Sequence, residues 1–184
     1  MCIRDRVYVD RSELKSYRFT LYHGYKVKQV TDQTGAALDF RREYDYVTVT
    51  RGGADVEYLC LEYTGKSPKY YSSYAGVCLP ANFAYYPIPG YRELFKDSFY
   101  GFIDCSLPYD TAFDVRCSGR KQMYCNLAAR GNNHFAGNAR SITLLSGYYD
   151  TLKLNDTLVV YPKYADGDCL LYTSPSPRDR TRSR

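Results

Sequence analysis

The sequence predicts an all-β fold, an antiparallel β-sandwich. Three observations point there: apolar and polar residues alternate with period two nearly everywhere, β-branched and aromatic residues crowd into those runs, and helical spacing is almost absent. The runs recur every roughly 8–12 residues with turn residues between them, the rhythm of a sandwich rather than of strands alternating with helices.

Taken in order, "YRFTLY" (Tyr17 to Tyr22) and "YKVKQV" (Tyr25 to Val30) alternate around "HG", a hairpin-like pair. "DQTG" (Asp32 to Gly35) is a turn, because Asp can bond its own backbone and Gly supplies a positive φ. "YDYVTVT" (Tyr44 to Thr50) reads as a strand, "RGGAD" breaks it, and "VEYLCLEY" (Val56 to Tyr63) resumes it. Residues Thr64 to Gly90 are dense in Gly, Pro and Ser and read as a long loop or short edge strands. "YRELFKD" (Tyr91 to Asp97) is at most one or two helical turns. "SFYGFIDCSL", "AFDVRC", "ARSITLLSGYY" and "LKLNDTLVVYP" are again strand-like.

The two ends stand apart from this pattern. "MCIRDR" and "CLLYTSPSPRDRTRSR" both resemble translations of one transposase-library sequencing adapter, read in its two orientations. The expected organisation is therefore residues 1–6 and 169–184 derived from adapter and residues 7–168 as one β-sandwich domain, a fragment of a longer protein. Without the six arginines and two aspartates of those ends, 19 Lys+Arg face 18 Asp+Glu, so the formal charge falls from +5 to about +1. The balance then gives no reason to expect nucleic acid as a partner. The seven cysteines fall to five: Cys60, Cys78, Cys105, Cys117 and Cys125. None forms a C-x-x-C pair, so a zinc or thioredoxin-like site is not indicated. Mostly free structural thiols are expected, although Cys117 and Cys125 could close a hairpin.

Chemistry-bearing motifs are sparse. His23 lies in the "LYHGY" turn, where it reads as a solvent-facing residue. His134, in "RGNNHFAGNAR", is the better candidate for binding, since Gly, Asn and Arg in a loop offer amide and guanidinium donors. The two histidines are 111 residues apart, and neither belongs to H-E-x-x-H. No G-x-S-x-G or phosphate loop is present. No catalytic residue and no metal ligand is therefore assigned. "NDT" (Asn155 to Thr157) fits a glycosylation acceptor. The 22 tyrosines, with no Trp, suit a half-buried sheet face. Clustered rings in "KYYSSY" and "FAYYPIP" could instead stack a sugar or peptide, which makes Tyr85 and Tyr86 candidate binding residues on an exposed loop face.

The order of segments resembles the N-terminal β-domain of M1-family (gluzincin) aminopeptidases. The matching residues are Val27, Val30, Gly35, Leu38 and Phe40, then Asp45, Val47 and Val49, then Leu61, Tyr63 and Gly65. Farther on, "YYPIPG" stands where the family has W-x-P, and "AFDV" and "CNL" stand for an F-x-V strand and S-N-L/M. Tyr replaces the Trp, and the acidic residues that follow the Pro in the family are missing. The looser form is similar to the M1-like domains fused to ABC-2-type transporter permeases. The resemblance spans roughly residues 17 to 147.

What the resemblance implies is a saddle-like sandwich without catalysis of its own, shaping a substrate entrance or packing on a neighbouring domain. Zinc would belong to a downstream domain, making the parent a zinc metallopeptidase or a permease, and no cofactor is expected in this fragment. Partners would be the missing domains of the same chain and a peptide or glycan ligand. The membrane would be reached only through missing segments, and an extracytoplasmic or cell-surface location is favoured. The alternative is a secreted or surface binding module, adhesin- or lectin-like, that uses the tyrosine clusters.

Overall fold

Alternation alone builds the first pair of sheets. In a computed structural model that describes residues 2–9, 15–51, 56–72, 76–92, 105–118, 121–154 and 157–163, the chain is all-β. Strands β1 (Cys2–Tyr8), β3 (Tyr25–Thr31) and β6 (Tyr58–Gly65) form one antiparallel sheet in the order β1-β6-β3. Strands β2 (Ser16–Thr20), β4 (Phe40–Glu43), β5 (Tyr46–Thr50) and β8 (Ile88–Pro89) form a second, ordered β4-β5-β2-β8. Alternate residues Leu59, Leu61 and Tyr63 of β6 are fully buried, as are Val47 and Val49 of β5. With Tyr17, Phe19 and Leu21 they share one hydrophobic core between the sheets.

Register explains a spacing that period two does not. Val27 and Val30 are three apart, yet they pair with Tyr63 and Leu61, which lie on the same face of β6. The register shifts between Val27 and Gln29, and this bulge resets the alternation so that both valines face inward. At the end of the same pairing Gly65 lies opposite Tyr25. A Cβ on Gly65 would come within 2.3 Å of the Gly24 carbonyl oxygen and 2.8 Å of Tyr25 Cα, so only glycine allows this approach.

The second half is made of smaller sheets. β7 (Gly76–Leu79), β10 (Met123–Cys125) and β13 (Leu144–Gly147) are ordered β10-β13-β7. β9 (Thr111–Arg116), β11 (Ala128–Gly131) and β12 (His134–Ala139) are ordered β11-β12-β9, and β14 (Tyr149–Leu154) pairs with β15 (Thr157–Pro162). The expectation of short edge strands in the Gly/Pro/Ser-rich middle holds: β7 and β8 are both short and both terminal in their sheets. The "DQTG" turn also forms as read, with Asp32 Oδ1 accepting from the Thr34 N–H (2.8 Å), the Thr34 hydroxyl (2.6 Å) and the Ala36 N–H (3.0 Å). Gly35 supplies φ +86°.

Three readings are corrected. "YDYVTVT" does not run as one strand, because Tyr44 and Asp45 make the β4–β5 turn, with Tyr44 at φ +49°. "LKLNDTLVVYP" is a hairpin rather than a strand: Leu154 pairs with Thr157, and residues 155–156 lie outside the described residues. "RGNNHFAGNAR" is not a loop but the β11–β12 hairpin, turned by Asn132 and Asn133, whose φ is +52°. Asn tolerates this left-handed conformation, which is why two polar residues suffice for the turn.

Of the two ends set apart above, only the first falls among the described residues. Residues 2–6, set apart in the sequence reading, form most of β1, pairing from Cys2↔Thr64 to Tyr8↔Tyr58. Their exposure alternates, with Arg4, Arg6 and Tyr8 outward and Asp5 and Val7 inward, as a half-buried strand requires. Residues 169–184, "RGGAD" beyond Arg51, most of "YRELFKD" and most of "SFYGFIDCSL" lie outside the described residues.

Candidate functional site

Tyr85 and Tyr86 are not on an exposed face. They are 3% and 8% exposed and belong to the core, so the expected loop platform around "FAYYPIPG" is corrected. The reason is local. The 83–88 segment is apolar at nearly every position and crosses the interior rather than the surface. The Tyr22 N–H donates to the Ala84 carbonyl, and Thr20 pairs with Ile88. Rings continue the chain of contacts: Tyr22–Phe83 at 5.1 Å, Phe83–Tyr85 at 6.3 Å, Tyr85–Tyr86 at 5.0 Å and Tyr86–Phe113 at 6.0 Å between centroids. This aromatic file joins the first pair of sheets to the second half.

Two buried hydroxyls, those of Tyr63 and of Tyr85 in that file, are placed, not merely enclosed. Tyr63 donates to Asp5 Oδ2 (2.5 Å) and lies 3.1 Å from the Tyr85 carbonyl oxygen, while the Tyr85 hydroxyl donates to the Ile142 carbonyl (2.9 Å). Burial pushes the Tyr63 and Tyr85 phenols well above their ordinary range and Tyr86 up to about 12. Burial also pushes Asp5 up to about 6, against the Tyr63 hydrogen bond that favours its charged form. Held neutral in this way, the Tyr63 and Tyr85 phenols act as hydrogen-bond donors inside the fold.

His134 starts β12 and faces away from the core, directly across from Arg116. Its Nε2 donates to Asp114 Oδ2 at 3.1 Å, and Arg116 Nε donates to Asp114 Oδ1 at 3.1 Å. Those two bonds and the Arg116 charge hold the Asp114 carboxyl below the usual range. Asp114 and Arg116 were missed in the sequence because they lie 20 and 18 positions from His134 and meet it only through the β9–β12 register. The alternating "AFDVR" run, with Phe and Val inward, was the one available signal that Asp114 and Arg116 share an outer face.

His23 is more than a solvent-facing turn residue. Its backbone N–H (2.7 Å) and its Nδ1 (3.0 Å) both approach Oδ1 of the buried Asp45, and its ring stacks on Tyr44 at 4.2 Å. Arg42 donates from Nε to the Tyr44 carbonyl (2.6 Å) and from Nη2 to the Leu21 carbonyl (2.7 Å). Burial pulls the Arg42 guanidinium down, with Asp45 opposing the shift. Two hairpin turns are thus locked into one corner, which compensates the left-handed backbone of Tyr44.

Among the described residues no group of three or more His, Cys, Asp or Glu side chains is arranged to hold a metal ion, and Cys60, Cys78, Cys105, Cys117 and Cys125 form no disulfide. No described helix is long and apolar enough to cross a membrane. Comparison of the chain with protein-family models, curated proteins and solved structures finds no match.

Proposed function

We propose that this chain is a non-catalytic β-sandwich domain of a larger M1 aminopeptidase-like or ABC-permease-associated protein, where it shapes a substrate entrance or packs on a neighbouring domain. One observation supports this reading. The residues that carry the resemblance are scaffold residues: Val30, Leu38, Val47, Val49, Leu61 and Tyr63 are buried together. Gly35 makes a turn, Gly65 permits a close strand approach, and Asp45 pins one hairpin to another. A domain whose motif positions build its interior serves as a body for chemistry carried elsewhere.

The test has two parts. Purified chain incubated with zinc and a panel of aminoacyl-coumarin amides is expected to release no fluorophore, and turnover by the chain alone would overturn the reading. The coding sequence on either side is expected to contain H-E-x-x-H or membrane-spanning helices, and finding neither would overturn it equally.

The alternative, a surface binding module, has one feature in its favour. Tyr91 is 50% exposed, packs edge-on against Tyr46 at 4.6 Å, and carries the Arg18 guanidinium 5.2 Å from its ring centre. Glycan-array binding that disappears in Tyr91→Ala would favour that module.

A further inference from the structure

A cavity of about 730 Å³ opens between β10, the β11–β12 hairpin and β15. That volume lies within the roughly 300–1,000 Å³ typical of small-ligand sites. Its floor is apolar: Leu127 and Phe135 are buried, and Met123 packs against the same core. Its outer wall is Leu158 and Val160, alternate residues of β15 that share one face of the hairpin. Leu158, at the lip of the hollow, is 57% exposed and open to a ligand lying there.

The rim has one sign of charge. Lys121 is at the mouth together with Asn132 and Asn133, and no carboxylate lines the cavity among the described residues. Lys121 Nζ sits 5.2 Å from the centre of the Tyr148 ring, and the Asn133 side-chain amide donates to the Lys121 carbonyl at 3.4 Å. The Lys121 backbone that lines the cavity is tethered, and its ammonium rests on the neighbouring Tyr148 ring, from which the side chain can swing to a bound anion. A hollow with an apolar floor and a mixed polar and apolar wall, with a lysine and amide donors at its edge, fits a molecule that is greasy at one end and anionic at the other.

We propose that this cavity binds an aliphatic carboxylate, with the chain against Leu127, Phe135 and Leu158 and the carboxylate at Lys121. This inference is independent of the domain reading above. The test is titration calorimetry of the full chain with octanoate, decanoate and dodecanoate below their micelle concentrations, and with decylammonium. Affinity is expected to rise with length by up to about fourfold per methylene, the factor that full burial of one CH₂ gives. Decanoate is expected to bind at least about tenfold more tightly than decylammonium, a difference that Lys121→Gln removes. Leu158→Gln is expected to weaken decanoate by about tenfold. Lys121 and Leu158 are both exposed, so these variants should fold, and an unchanged unfolding transition checks it. Absence of saturable binding, affinity that does not change with chain length, equal binding of the ammonium, or a Lys121→Gln variant that still discriminates would each overturn the proposal.

Discussion

The two halves of the molecule use the same strand grammar to different depths. Among the described residues, 18 of the 24 buried apolar side chains lie before residue 90, all but Leu79 of β7 outside the smaller sheets of the second half. Cys105, Leu107, Leu127, Phe135, Ile142 and Leu144 are the rest, and β14 contributes none. The second half compensates with placed polar contacts. Arg140 Nε donates to the Leu107 carbonyl (2.8 Å), Asn126 Nδ2 to the Ser141 carbonyl (3.0 Å), and the Thr143 N–H to Asn126 Oδ1 (2.9 Å). Area removed from water is the larger stabilising term, so the first half should set global stability and the second should open first.

The sharpest way to break that contrast is at the centre of the first half. Leu61→Ala empties a fully buried site between two sheets and is expected to cost about 2–5 kcal/mol. Gly65→Ala belongs in the same class, because two of the three near contacts of its new Cβ would be with backbone, which cannot step aside. Denaturant unfolding measures both. If either variant shifts the midpoint no more than an exposed substitution in the β14–β15 hairpin does, the first half is not the stability core.

A middle-sized effect sits at the junction. Tyr63→Phe removes the donor that serves Asp5 and the Tyr85 carbonyl, and is expected to cost about 1–3 kcal/mol. Asp5 adds a pH dependence whose sign is set by its raised value. The folded group titrates at about 6 against an ordinary 3.8, so the folded state holds the proton more tightly. Stability is therefore fully present below about pH 4 and falls as the pH rises through about 6. The loss is bounded at about 3 kcal/mol by the size of the shift. Asp5→Asn should flatten the dependence between pH 4 and 7 in thermal melts. An unchanged slope would mean that β1 does not hold Asp5 against Tyr63.

Sequence reading reached the first half more fully than the second, for physical reasons. Clean alternation in "YRFTLY" and "VEYLCLEY" makes inward and outward faces visible, and "DQTG" carries its own turn chemistry. In the second half "RGNNHFAGNAR" has small residues where inward side chains should alternate, so in sequence its hairpin looks like a loop. The tyrosines misled in another way. A ring with a hydroxyl is equally at home on a wet face or in a core with a carbonyl to bond. Only the tertiary path of residues 83–88 decides that Tyr85 and Tyr86 are inside. The partners of His134 and His23 come from other strands and turns, and single-sequence spacing cannot bring them together.

The smallest expected effect tests the other end of the comparison. Leu152 and Leu154 are 44% and 52% exposed on one face of the β14–β15 hairpin, opposite the face that carries Leu158 and Val160. Two strands without a covering layer gain little from apolar side chains that stay in water. Leu152→Ser should therefore move the unfolding free energy by no more than about 0.5 kcal/mol, as measured by urea denaturation. A loss above about 2 kcal/mol, the size expected for a core leucine, would show that this hairpin is packed as firmly as β6 and that the two halves share one depth of burial.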